Sequence, residues 1–170
     1  MKGKVRYLLL GIGMLLVGIF SWRYFFPSEE KEVIKPFKLL SQYVEKVSDE
    51  DILSAANRIK NISQLFADPC EFKIEGEVSY SLVGSYNREE IKGYALRGRS
   101  YFSELSLRFD DYKIEFPEKD LAQVRLTGRL TGRSTGGEKV DETRELLCIL
   151  NKLGGHWLFS GIEVVEPLKR

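Results

Sequence analysis

Apolar residues recur at spacings of three and four along residues 33–66, which is the spacing of one face of a helix. The stripe of the first predicted helix, which begins at Ser28, is formed by Val33, Phe37, Leu40, Val44 and Val47. The stripe of the second is formed by Ile52, Ala55, Ile59, Ile62 and Phe66. Ser48 opens an acidic run that is typical of a helix start. Asp68-Pro69 is expected to close the second helix, because proline ends helices.

An alternation of apolar and polar residues replaces the helical spacing from Phe72 onward and predicts a strand hairpin. Residues 87–90 form a capping box, which predicts a short third helix. The alternation returns from Glu104 and continues to residue 165, with turns at 134–139 and at Gly154-Gly155. Two helices, a strand hairpin, a third helix and four antiparallel strands predict an α+β fold whose helices cover one face of the sheet.

The first 27 residues differ from the rest of the chain. Tyr7–Phe20 is apolar without a polar break, and the apolar character continues to Phe26, giving about the 20 residues that a bilayer core requires. Trp22, Arg23 and Tyr24 are the predicted membrane anchors at the interface. The segment lacks a small-residue cleavage site, which favours an uncleaved signal anchor over a signal peptide.

Basic residues precede the apolar run, so the positive-inside rule leaves the N-terminus in the cytoplasm. We therefore expect residues 1–27 to form a cytoplasmic tail and a single transmembrane helix in a bacterial inner membrane. Residues 28–170 would form one domain on the periplasmic or extracytoplasmic side. A protease added to spheroplasts should then reach that domain.

The charge balance and the motifs of the sequence limit the classes of function that it can predict. The chain has 26 basic and 25 acidic side chains, and four of the basic ones lie in the first 26 residues. The remainder is acidic overall, which argues against a nucleic-acid partner. No zinc-protease, nucleophile-elbow or phosphate-loop motif occurs, so neither a cofactor nor a metal is predicted. Cys70 and Cys148 are interpreted as buried free thiols, with a disulfide as the alternative.

Four stretches in order carry a resemblance to a known superfamily: ISQLFADPCEFK (62–73), GSYNREEIKGY (84–94), DLAQVRLTGRLTG (120–132) and LCILNKLGGHWLFSGIEVVE (147–166). Together they resemble the SnoaL-like and nuclear-transport-factor-2-like superfamily. The resemblance implies a cone, in which a curved antiparallel sheet wraps on about three helices. It also implies that Trp157 packs in the core. His156, the only histidine, is then a turn residue rather than a base, since a base needs a positioned partner.

Enzymes of this superfamily place Asp, Tyr or His inside the cone, and the candidate cavity residues here are Tyr43, Glu75 and Tyr80. None of them forms an enzyme motif, so no catalytic residue is predicted. Arg125, Arg129 and Arg133 lie four apart on one strand, and successive members share a face at about 13 Å. That face is either the solvated outside of the sheet or a docking surface for an acidic partner or a second subunit.

These patterns favour a membrane-anchored, extracytoplasmic binding or scaffold domain that is non-enzymatic and engages a protein partner or itself. Two alternatives stay open. One is a small-ligand carrier, or a lyase- or isomerase-like enzyme, that uses the cone cavity. The other is an inner-membrane scaffold subunit of a secretion system, whose layout is similar. An apolar open cavity would favour ligand binding, whereas a filled interior would favour scaffolding.

Overall fold

The computed structural model describes residues 29–48, 50–74 and 82–165. Its elements are α1 (Glu29–Val44), α2 (Ile52–Gln64), β1 (Phe66–Ile74), β2 (Leu82–Tyr86), α3 (Arg88–Tyr101), β3 (Phe102–Glu118), β4 (Leu121–Ser134), β5 (Lys139–Leu153) and β6 (His156–Val164). Three helices and a six-stranded sheet confirm the α+β class, and the residues from Val33 onward form one compact unit.

Several sequence predictions fall outside the described residues. These are the membrane anchors Trp22, Arg23 and Tyr24 and the cavity candidates Glu75 and Tyr80. Within the described ranges, no helix combines the length and the apolar character that a membrane span requires.

The strands form one sheet in the order β2-β1-β6-β5-β4-β3. All neighbouring strands pair antiparallel except β1 and β6, which are parallel. The parallel pair brings the start of the strand region beside its end, so β6 lies in the middle of the sheet. Along β4, buried and accessible residues alternate, which gives the sheet an inner face toward the helices and an outer face toward solvent.

The two helix boundaries around residue 48 differ from the prediction. Helix α1 ends at Val44, and Val47 is 62% exposed rather than part of the stripe. The cap of α2 is Asp51 instead of Ser48, because the Asp51 carboxylate accepts a hydrogen bond from the Ser54 amide at 2.9 Å. Ile52 therefore occupies the first turn and is 86% exposed.

The end of α2 also differs from the prediction. The helix stops at Gln64, and Phe66 belongs to β1, where it pairs with Phe159 of β6. Asp68-Pro69 lies within β1 rather than closing the helix. Phe66 fitted the helical spacing because its side chain faces the core in the strand, as it would also have done in a longer helix.

The later elements agree with the sequence patterns more closely. The Asn87–Glu90 capping box is present at the start of α3, although this helix is longer than predicted and runs to Tyr101. Strand β3 is interrupted at Asp111, which has a positive φ of 57°, and the pairing register shifts beside it. Gly154 and Gly155 form the final turn, both with positive φ.

A cluster of aromatic rings lies under α1 and forms part of the core. The Phe37 ring meets the rings of Phe109, Tyr112 and Phe159 edge-on, with centroid distances of 5.4, 5.5 and 4.8 Å. Phe37 and Phe159 are fully buried. Helix α1 is therefore fixed to the inner face of the sheet by aromatic packing.

Candidate ligand-binding cavity

A cavity of about 310 Å³ lies between α3 and the inner face of the sheet. Its helix side is formed mainly by Ile91, Tyr94, Ala95, Gly98 and Arg99. Its sheet side is formed mainly by Phe66, Phe72, Leu82, Tyr86, Phe102, Leu105, Leu107 and Leu130. Apart from the two tyrosines and Arg99, every lining residue is apolar or glycine. The volume falls at the lower end of the range of small-molecule sites in proteins.

Small side chains on α3 account for this open space. Ala95 and Gly98 occupy the cavity side of the helix, where larger apolar residues would reach the sheet. A Cβ built on Gly98 meets no atom within 4 Å. Glycine in a helix is unfavourable by about 1 kcal/mol relative to alanine, so this position gives up stability and gains volume.

A row of aromatic rings forms one wall of the cavity. Phe66 and Phe72 have ring centroids 5.7 Å apart, and Phe72 contacts Tyr86 edge-on, also at 5.7 Å. Tyr86 in turn meets Tyr94 edge-on at 5.3 Å. The guanidinium of Arg97 lies 4.5 Å from the centroid of the Tyr94 ring. The row therefore runs from the buried core to the solvent-exposed surface of α3.

The two tyrosines place hydroxyl groups at the exposed end of the row. The Tyr86 hydroxyl donates to the Val83 carbonyl at 3.3 Å and shares a hydrogen bond with Tyr94. Burial, followed by the neighbouring Tyr94 and Glu90, raises the pKa of Tyr86 above its ordinary value. Tyr86 is therefore a neutral phenol at physiological pH and has no tendency to act as a base.

Arg99 forms part of the cavity wall, yet its charge is used elsewhere. The side chain is buried, and Nη1 donates to the carbonyl oxygens of Tyr43 and Glu45 at 2.8 and 2.9 Å. Nη2 forms an ion pair with the buried carboxylate of Glu50. Carbonyl groups in the last turn of a helix lack hydrogen-bond donors within the helix. Arg99 donates hydrogen bonds to the carbonyl groups at the end of α1.

Lys46 makes the reciprocal contact. Its Nζ donates to the carbonyl oxygens of Arg99 and Phe102 at 2.8 and 2.6 Å, at the end of α3. Arg58 of α2 completes the group through an ion pair with Glu50 at 3.0 Å. We call Lys46, Glu50, Arg58 and Arg99 the clasp. It joins the ends of α1 and α3, and the Glu50 carboxylate in it pairs with both Arg58 and Arg99.

Of the predicted cavity residues, only Tyr43 lies in the described part of the chain. It is half-buried in the last turn of α1 and is absent from the cavity lining, although its carbonyl accepts from Arg99. Tyr86, Tyr94 and Arg99 line the cavity but were not among the residues that the sequence predicted for it. A helical spacing of three and four does connect Ile91, Tyr94, Ala95, Gly98 and Arg99, but a stripe that contains glycine and arginine does not register as apolar.

The three arginines of β4 lie on the outer face of the sheet, as the alternation predicts, and all are exposed. Arg129 pairs with Asp141 through Nε and Nη2, at 2.9 and 2.7 Å. Arg125 lies 3.6 Å from Glu145. Two of the three charges are thus matched by acidic side chains of β5.

The remaining chemically active side chains lie away from the cavity. His156 is exposed at the first position of β6, beside the turn. Cys70 and Cys148 are free and buried, in agreement with their interpretation as thiols. Burial raises the pKa of each thiol to about 12. Within residues 29–48, 50–74 and 82–165, no three His, Cys, Asp or Glu side chains come together as a metal site would require.

No protein-family model matches the sequence, and no curated protein matches it. Solved structures do. A candidate scytalone dehydratase from Novosphingobium aromaticivorans DSM 12444 has a TM-score of 0.63 at 18% identity, covering 84% of this chain and 94% of that chain. A type 2 hexachlorocyclohexane dehydrochlorinase, LinA, has a TM-score of 0.64 at 14% identity, covering 81% and 84%. A candidate calcium/calmodulin-dependent protein kinase II association domain from Xanthomonas campestris has a TM-score of 0.63 at 15% identity, covering 84% of this chain and 91% of that chain.

The expectation of a non-enzymatic scaffold is wrong. Two of these three structures are named as enzymes, and the interior under α3 is open and apolar instead of filled. These findings favour the alternative, a ligand-binding or enzymatic use of the cavity. The likeness itself concerns architecture, and there the sequence-based resemblance is confirmed: the chain has the cone fold of the SnoaL-like and nuclear-transport-factor-2-like superfamily.

Proposed function

We propose that this domain binds a small, mostly apolar molecule in the cavity under α3. The observation that carries the proposal is the combination of an open volume of about 310 Å³ with apolar walls. Burying apolar surface contributes about 25 cal/mol per Å², so a compound that fills this space would be held without a charged contact.

The electrostatics support an uncharged ligand. Arg99 is the one charged residue among the described lining residues. Its Nη1 and Nη2 atoms are engaged by carbonyl groups at the end of α1 and by Glu50, whereas its buried Nε has no hydrogen-bond partner in the described part of the chain. Moving an ionised group out of water is unfavourable unless an opposite charge receives it. An ammonium compound would find no acidic side chain among the described lining residues, and the one cation there for a carboxylate already forms an ion pair with Glu50.

Two glycines of α3 provide a matched test. Gly98 lines the cavity and Gly93 does not, while a Cβ meets no atom within 4 Å at either position. Gly98→Leu should obstruct the cavity, whereas Gly93→Leu should leave it open. Leucine is a better helix former than glycine, so both variants should fold at least as well as the wild type.

Binding of naphthalene can be measured by equilibrium dialysis of the full-length protein in nanodiscs, with empty nanodiscs as the reference. The wild type and Gly93→Leu should bind it, and Gly98→Leu should lose at least tenfold in affinity. Equal binding by all three proteins would show that the probe lies elsewhere and would refute the proposal.

An enzymatic use of the same cavity is the second candidate. It is supported by the two enzymes of this fold named above and by the hydrogen-bonded tyrosine pair at the cavity. A neutral phenol can donate a proton to a leaving group, as a lyase-like reaction requires. Native mass spectrometry of the purified full-length protein would identify a co-purifying compound. Its conversion by the wild type but not by Tyr86→Phe would support catalysis, and recovery of the unchanged compound would support carriage.

We also propose that residues 1–27 anchor the domain in a membrane with the domain on the extracytoplasmic side. The support is the apolar run from Tyr7 to Phe20, its largely aromatic continuation to Phe26 and the basic residues before it. A protease added to intact spheroplasts should degrade residues 28–170 while a cytoplasmic marker survives. Protection of both proteins would contradict this orientation.

A further inference from the structure

We propose that a second cleft, at the base of the β4–β5 hairpin, binds an acidic segment of a protein partner, whose carboxylates pair with Arg133 and Lys139. The cleft is separate from the cavity under α3, since Leu105 alone is common to their described lining residues. The inference is carried by the shape of the cleft and by two opposed cations that form no ion pair within the described part of the chain.

The cleft has a volume of about 590 Å³ and crosses the sheet from the segment after α1 to β5. It follows one row of paired residues: Lys46 bridges to Leu105 of β3, Leu105 faces Gly132 of β4, and Gly132 faces Val140 of β5. Neighbouring strands lie about 4.8 Å apart, so the row spans about 14 Å, the length of about four extended residues. A short peptide in an extended conformation therefore fits the cleft.

The ion pairs on the outer face follow a fixed offset between β4 and β5. Arg129 pairs with Asp141, and Arg125 lies 3.6 Å from Glu145. In both cases the acidic residue lies two positions nearer the hairpin turn than the residue that the arginine faces. The register of the two strands thus supplies each of these arginines with a carboxylate.

Arg133 is the exception in this series. It faces Lys139, so the same offset leads to Gly137, a turn residue with a positive φ of 90° and no side chain. On its other side Arg133 faces Glu104 of β3, but that carboxylate accepts a hydrogen bond from the Ser48 hydroxyl at 3.3 Å. Both cations are exposed, and like charges directly opposite each other destabilise a sheet. A carboxylate from a partner would offset this repulsion.

The side chains of the cleft define the chemistry of that partner. The Arg133 guanidinium is a planar fork that can hold a carboxylate by two parallel hydrogen bonds, and Lys139 adds a second charge. Thr131 and Ser106, which face each other in the next row, supply hydroxyl groups. Glu45 is exposed at the opposite end of the cleft and disfavours acidic groups there. The segment that fits therefore carries carboxylates at one end and uncharged residues at the other.

Three pentapeptides with blocked ends and a neutral dye test this layout: two glutamates followed by three alanines, two glutamines followed by three alanines, and five glutamates. Fluorescence anisotropy with the full-length protein in phosphatidylcholine nanodiscs gives each affinity, with empty nanodiscs as the reference. The first peptide should bind and the glutamine peptide should not. Five glutamates should bind no more tightly than two, because Glu45 and Glu104 repel the additional carboxylates. An ionic strength of about 1 M, which screens charges beyond about 3 Å, should abolish binding.

Single-charge variants locate the contact. Arg133→Gln and Lys139→Gln should each weaken binding of the first peptide about threefold, the usual effect of one exposed ion pair. Arg108→Gln is the matched control, since Arg108 is an exposed cation of the same face that does not line the cleft, and it should retain the wild-type affinity. Without peptide, Lys139→Gln should unfold at a slightly higher temperature than the wild type, because the repulsion between the two cations is removed.

Several results would overturn the proposal. Failure of the first peptide to bind, or equal losses in Arg133→Gln and Arg108→Gln, would show that the cleft does not select the carboxylates. Displacement of the peptide by phosphatidylglycerol vesicles would identify an anionic lipid surface as the occupant instead. The cavity under α3 is tested independently, since Gly98→Leu should bind the peptide as the wild type does, whatever its affinity for naphthalene.

Discussion

The interior under α1 and the interior under α3 share the same sheet face but are built differently. Under α1, the Phe37 ring meets three other rings and is fully buried. Under α3, Ala95 and Gly98 leave about 310 Å³. We call these the filled region and the open region. The difference indicates that the filled region stabilises the fold and that the open region is available for a ligand.

Thiol reactivity should separate the two regions most strongly. Cys70 and Cys148 are buried in the core, and burial raises the pKa of each from 9.0 to about 12. Because the thiolate is the reactive form, each should be alkylated by iodoacetamide about a thousandfold more slowly in the native protein than in urea. A Gly98→Cys variant supplies the comparison, since a thiol placed at the cavity should react rapidly. Slow reaction at position 98 would mean that the open region is closed in solution.

Truncation of Phe37 tests the filled region. Phe37→Ala should lower the free energy of unfolding by about 4 kcal/mol, because it removes a fully buried ring and leaves a cavity. Tyr94→Ala removes a ring of the open region that already faces solvent on one side, and its effect should be well under half as large. Urea denaturation of the full-length protein measures both. Equal losses would contradict the division of the interior into two regions.

Breaking the clasp should have the next largest effect on stability. Glu50→Gln leaves the buried guanidinium of Arg99 without its counter-charge, and breaking a buried pair on one side costs about 3 kcal/mol. The free energy of unfolding should fall by this amount. Since the clasp joins the ends of α1 and α3, hydrogen exchange should also accelerate at the ends of both helices. If exchange changes only in α2, the clasp does not couple the two regions.

The sequence predicts the filled region better than the open one, and for a physical reason. Phe37 and Leu40 belong to a helical apolar stripe, and Phe109 belongs to a strand alternation, because burial selects apolar residues at regular spacings. A cavity selects small residues and polar tips instead, so Gly98 and Tyr94 leave no comparable pattern. The sequence does not predict the clasp for another reason. Lys46, Glu50 and Arg99 are charged, and charged residues in a sequence predict solvent-exposed positions.

Helix boundaries can likewise be predicted only where they depend on residues that are close together in the sequence. The Asn87–Glu90 capping box fixes the start of α3 through side chains that are adjacent in sequence, and this start was predicted. The start of α2 could not be distinguished in the same way, because Ser48 and Asp51 both have side chains that can cap a helix. Only the orientation of the chain after α1 selects Asp51, and that orientation depends on contacts between distant residues.

The smallest expected effect concerns the outer face of the sheet, where an ion pair exists without burial. The Arg129 guanidinium lowers the pKa of Asp141 below 3.8 through a hydrogen bond, and both side chains are exposed. Stability from this pair is present above the unfolded-state pKa and is lost as the pH falls through the lower folded-state value. Asp141→Asn should therefore leave stability at pH 7 nearly unchanged, because exposed pairs contribute little, and should slightly flatten its decline below pH 4. A loss at pH 7 as large as that of Glu50→Gln would show that burial does not separate the clasp from the surface pairs.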